Sequence, residues 1–77
     1  MARSSFHEHL ARKGPLTRQN PEVVRLATAT GYSADHVYQV AIGQRVPPAK
    51  CAIALARALK GKADDAAAEL LQVVRQP

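Results

Sequence analysis

Tryptophan is absent, and only Phe6, Tyr32 and Tyr38 are aromatic. A core without large rings has to be assembled from Ala, Val, Leu and Ile, which supply most of the 47% apolar content and suit close helix packing. The fold class expected is therefore all-α. One cysteine, Cys51, allows neither an internal disulfide nor a cysteine-cluster metal site. A chain this small in an oxidising compartment usually carries such staples, so a cytoplasmic location is expected. The first residues, Met1-Ala2-Arg3-Ser4-Ser5-Phe6-His7-Glu8, lack the apolar stretch of a signal peptide, and nowhere do 18 uncharged apolar residues run together. No membrane partner is expected.

With 77 residues there is room for one domain, taken as 1–77, and none for a second core, which argues against most enzymes. No cofactor and no metal are expected. His7 and His9 stand two apart, on different faces of a helix. His36 and Asp35 have no Ser or Cys nucleophile at a catalytic spacing.

Charge is what the chain has in excess. Eleven Lys and Arg against six Asp and Glu give +5, and the distribution is uneven. Residues 1–62 hold ten basic and three acidic side chains, whereas residues 63–77 hold one and three. A basic surface of this kind favours a polyanion such as nucleic acid.

Breaks at Gly14-Pro15, Gly31, Gly43 to Pro48 and Gly61-Lys62 divide the chain into five helix-sized segments. The first, about 4–13, has Ser4 or Ser5 as N-cap, and Arg12-Lys13 at the end where the helix dipole favours cations. The second opens Asn20-Pro21-Glu22, a cap, a proline at the first helical position and an acid in the first turn. The third opens at Ser33 and runs to Ile42, where Gly43 supplies a left-handed turn. Pro47-Pro48 is expected to open a fourth helix through Lys60, with Cys51, Leu55 and Leu59 as its inward stripe. The fifth covers about 64–75. Phe6, Leu10, Leu26, Val37, Leu55 and Leu59 form the expected core. Leu70, Leu71 and Val74 exceed what one face needs, and are dimerisation candidates if they do not simply lid that core.

Residues 22–43 carry the most informative spacing. Ala27 is small where two helices meet, Gly31 is free to take positive φ in the turn, and Val37 and Val40 pin the second helix onto the first. This is helix-turn-helix grammar, with its core at about 21–42. The continuation Gly31-Tyr32-Ser33-Ala34-Asp35-His36-Val37-Tyr38-Gln39-Val40-Ala41-Ile42 resembles the Cro/CI-type phage repressors. The segment Gly43-Gln44-Arg45-Val46-Pro47-Pro48-Ala49-Lys50-Cys51 resembles the short Cro-like prophage regulators of the YdaS type. Together the resemblance covers roughly residues 22–60.

The resemblance implies a lambda-repressor-like five-helix bundle acting as a homodimer on a two-fold symmetric double-stranded DNA operator, its third helix in the major groove. Base-reading positions then fall on Ser33, Ala34, Asp35, His36 and Gln39. A Gln amide pairs bidentately with adenine, Ala34 meets a thymine methyl, Asp35 accepts from cytosine, and His36 donates to a base or phosphate. Arg18, Gln19, Tyr38, Gln44, Arg45 and Lys50 are assigned to phosphates, which set affinity and register but carry no base information. Four positions depart from the pattern. Asp35 and Glu22 bring negative charge to the presumed DNA side, Thr30 takes a usually apolar position, and Tyr32 is larger than usual.

The function expected is a sequence-specific transcriptional regulator, a phage or prophage repressor. Two rivals remain: an antitoxin that autorepresses its operon and holds a toxin, and a protein-interaction module that has kept the fold without DNA contact.

Overall fold

The computed structural model describes residues 4–75, with side chains as far as residue 73, and is all-α. Five helices follow in order: α1 (Ser5–Ala11), α2 (Pro21–Thr30), α3 (Ala34–Ala41), α4 (Ala49–Leu59) and α5 (Asp64–Arg75). Among the described residues no helix is long and apolar enough to cross a membrane.

The first three helices begin where a short polar side chain, Ser4, Asn20 or Ser33, accepts from the free amides of the first turn. Ser4 Oγ accepts from the His7 N–H at 3.0 Å, which makes Ser4 and not Ser5 the cap of α1. A second anchor comes from α5, whose Glu69 carboxylate accepts from the Ser5 and Phe6 N–H groups at 2.9 and 3.4 Å. An anion on a helix N-terminus is favoured by the dipole, and here it ties the first helix to the last. Pro47 lies buried ahead of α4 and Pro48 is its N-cap, so the helix starts at Ala49, just beyond the proline pair, and ends at Leu59 with Lys60 as C-cap.

Asn20 joins α1 to α2. Its Oδ1 accepts from the Glu22 and Val23 N–H groups at 2.9 and 3.2 Å. Its Nδ2 donates to the carbonyls of Leu10, Gly14 and Pro15 at 3.0, 3.2 and 3.1 Å. The side chain is 2% exposed, so it satisfies five backbone groups from inside the fold.

Phe6, Leu10, Leu26, Val37, Leu55 and Leu59 are all buried, joined by Val23, Cys51 and the α5 residues Ala66, Ala67 and Leu70. Each large apolar side chain in such a core contributes roughly 1.5–3 kcal/mol by burial. The most extensive helix pair is α4 with α5. Leu70, 4% exposed, is therefore part of the monomer's own core and is withdrawn as a dimerisation residue. Leu71 is half-buried on the edge of the α4–α5 groove, and the side chain of Val74 lies outside the described residues.

Candidate nucleic-acid interface

The surface offered by α3 follows from what holds its other side down. Val37 and Val40 are buried under it, so the edge at Asp35 and Gln39, one turn apart, faces outward. The turn between α2 and α3 depends on Gly31, which takes φ +80° as the C-cap of α2 and donates its N–H to the Ala27 carbonyl at 2.9 Å. Thr30 fits the turn by bonding backwards, its hydroxyl donating to the Leu26 carbonyl at 2.7 Å. That bond explains how a polar residue occupies a position that is usually apolar.

The expected site residues fall into three groups. Asp35, Gln39, Arg45 and Arg18 form one connected polar row. Arg18 pairs with one oxygen of Asp35, and Gln39 Nε2 donates to the other at 3.1 Å. Arg45 Nε donates to Gln39 Oε1 at 2.9 Å. The Arg18 guanidinium also lies 4.7 Å from the centre of the Tyr38 ring. The hydrogen bond from Arg18 to Asp35 holds the guanidinium above its ordinary pKa. Asp35 is thus not a bare negative charge on this face; Arg18 offsets it.

The second group is structural. His36 is half-buried, stacked under the Tyr32 ring at 5.0 Å between centroids, with Nε2 3.3 Å from the Cys51 sulfur and Nδ1 3.5 Å from Arg45 Nη1. It fastens α3 to the first turn of α4 and is not a free base reader. Burial pushes the Cys51 thiol above its ordinary pKa. Ser33 spends its hydroxyl oxygen as the α3 N-cap, accepting from the His36 N–H at 3.1 Å, and Ala34 packs partly against the core. Tyr32 covers the core edge. The third group, Gln19, Gln44 and Lys50, is exposed at the margins of the row.

Glu22 corrects an expectation. It does not face the presumed DNA side but is 6% exposed, against His9 of α1. His9 Nε2 lies 2.6 Å from Glu22 Oε2, and Arg25 donates to both carboxylate oxygens at 2.5 and 2.7 Å. Arg25 Nη2 also reaches the Ala58 carbonyl at 3.4 Å. The hydrogen bonds from Arg25, aided by His9 and opposed by burial, hold the Glu22 carboxyl down at about 2. The three-residue spacing of Glu22 and Arg25 is visible in the sequence. The third partner, His9, comes from another helix and leaves no local signal.

Comparison with protein-family models, with curated proteins and with solved structures finds no match.

Proposed function

We propose that this chain is a sequence-specific DNA-binding regulator of the helix-turn-helix class, acting on its operator as a homodimer. The observation that supports this most is the outward polar edge of α3, Asp35 and Gln39, flanked by Arg18 and Arg45 and braced from behind by Val37, Val40 and His36. An edge of this length and polarity suits a major groove, whose base pairs present distinct donors and acceptors.

In this reading the row is pre-organised for its task. Each Gln39 amide group has one position left after its internal bonds, one N–H on nitrogen and one lone pair on oxygen, enough for a bidentate contact with adenine. Arg45 and Lys50 supply salt-dependent affinity at the phosphates, and Arg18 exchanges Asp35 for a phosphate on one strand. Repression follows by occupancy, with the bound dimer excluding polymerase from an overlapping promoter.

The test is a gel-shift titration with the DNA flanking the protein's own gene against a random duplex of equal length. Preference for a palindromic segment, with affinity falling as salt rises, supports the proposal. Equal, salt-insensitive or undetectable binding to both refutes it and leaves the interaction-module rival, which the internal pairing of Gln39 also accommodates.

A further inference from the structure

The positive charge of this fold does not sit mainly beside α3. Cys51 fixes the first turn of α4 against His36, while the Ala58 carbonyl, in its last turn, accepts from Arg25 of α2. With a rise of about 1.5 Å per residue, the two ends of α4 are roughly 15 Å apart. Lys50 and Arg45 belong to the first end. Arg12, Lys13, Arg57, Lys60 and Lys62 line three hollows near the second, where α1 ends and α4 turns into α5, with Glu8, Glu22, Asp64 and Asp65 among them.

A cavity of about 440 Å³ opens there, lined by His9, Lys13, Pro21, Glu22, Arg25 and Lys62. Its one carboxylate is already matched, since Glu22 is held by Arg25 and His9. Among the described residues Lys13 and Lys62 form no ion pair, and Arg25 Nη1 has no hydrogen-bond partner. Asp64 and Asp65 line the neighbouring hollow and leave Lys62 unpaired, Asp64 instead accepting from the Gly61 N–H at 2.8 Å. The cavity therefore carries two uncompensated cations around a fixed guanidinium edge, with the Pro21 ring as an apolar wall.

We infer that this cavity is a second anion site, which takes the phosphate monoester or pyrophosphate group of a small molecule. Two lysines match a dianion, and Arg25, whose Nε and Nη2 are held by Glu22, keeps Nη1 as a preset donor. A terminal phosphate enters a hollow between helices, whereas a duplex backbone presents single charges along a convex surface. None of its lining residues belongs to α3 or to the Arg18–Asp35–Gln39–Arg45 row, so its occupation is read separately from that of DNA.

The experiment is a titration of the ¹⁵N-labelled full chain with inorganic pyrophosphate, without DNA, following the Lys13 and Lys62 amides and the Arg25 Nε–H. Expected are saturable shifts confined to these positions, with affinity falling at least about tenfold in the double variant Lys13→Ala, Lys62→Ala. Both lysines are exposed, so that variant keeps the fold. The charge-matched variant Arg45→Ala, Lys50→Ala retains the binding. Shifts that spread over all cations without saturating, that centre on Arg45 and Lys50, or that fail to occur overturn the inference. So does a random duplex that moves the cavity signals when pyrophosphate does not. Because operator binding is read separately, failure of either proposal leaves the other standing.

Discussion

Gln39 and Arg45 are hydrogen-bonded to each other twice over: Arg45 Nε donates to the Gln39 side-chain oxygen at 2.9 Å, and the Arg45 N–H donates to the Gln39 carbonyl at 3.3 Å. The residue assigned to a base and the residue assigned to a phosphate are therefore one unit. The loop after α3 sets the orientation of the amide, and whatever moves Arg45 turns Gln39 with it.

That coupling shapes the first prediction. Gln39→Ala is expected to remove about 1–3 kcal/mol of discrimination at one base pair in each half-site, with little effect on random DNA. Arg45→Ala is expected to weaken every sequence, to reduce the salt slope by about one, and to lose part of the same discrimination because Gln39 is released. Fluorescence anisotropy at several salt concentrations separates the two. Equal losses on operator and random DNA for Gln39→Ala refute its assignment.

Asp35 stands between Arg18 and Gln39, and its removal frees both. Asp35→Asn is expected to strengthen binding to random duplex by roughly fivefold, the scale of one charge contact of about 1 kcal/mol, while lowering the ratio of operator to random binding. Tighter random binding with an unchanged ratio would mean that Asp35 only tempers affinity and holds nothing in register.

What the sequence disclosed and what it withheld divide along a physical line. The number and order of the helices, the caps Asn20 and Ser33, and the inward set from Phe6 to Leu59 are local or periodic properties, and they can be read from neighbours along the chain, with the ends of α1 and α4 falling one or two residues inside the expected limits. The pairs made between distant parts of the chain are not. Arg18 with Asp35, His36 with Cys51 and His9 with Glu22 join residues 13 to 17 positions apart on different elements. Glu22 looked like a surface acid because a first-turn acid usually is one. Only the approach of α1, with His9, gives it a partner from another helix. Leu70 and Leu71 were equally ambiguous, since a broad apolar face does not say which part of it the same chain covers.

The buried Glu22 predicts an acid-sensitive fold. Its carboxyl is held at about 2, below its ordinary value of 4.5, so the folded state binds the proton less readily than the unfolded one. The stabilisation is complete above the ordinary value and is lost as pH falls from there toward 2, on the order of 3 kcal/mol in all. Urea unfolding between pH 7 and 2 reads this slope. Glu22→Gln is expected to be less stable at pH 7 and to flatten the slope, and parallel pH profiles for the two proteins would discard the account.

Gly31 carries a penalty that is purely one of backbone. At φ +80° an alanine is strained, yet no atom lies within 4 Å of where its Cβ would stand. Gly31→Ala is expected to cost about 1 kcal/mol and Gly31→Asn less, because Asn tolerates the left-handed region. Chemical denaturation ranks the three. A loss well above 3 kcal/mol for Ala would mean that the turn is crowded.

Asn20 separates its two roles by substitution. As an N-cap it is worth about 1 kcal/mol, and as donor to three carbonyls it prevents a further penalty of about 1–3 kcal/mol for buried acceptors left unpaired. Asn20→Ala loses both and is expected to fall by about 2–4 kcal/mol. Asn20→Asp keeps the accepting oxygen but turns a second oxygen toward the Leu10, Gly14 and Pro15 carbonyls, so the cap survives while the latch becomes repulsive. The Asp variant should therefore recover stability relative to wild type as pH is lowered and its carboxyl gains a proton to donate. An Asp variant as stable as wild type at pH 7 would show that the cap alone matters, and that the segment between α1 and α2 is held by its other contacts.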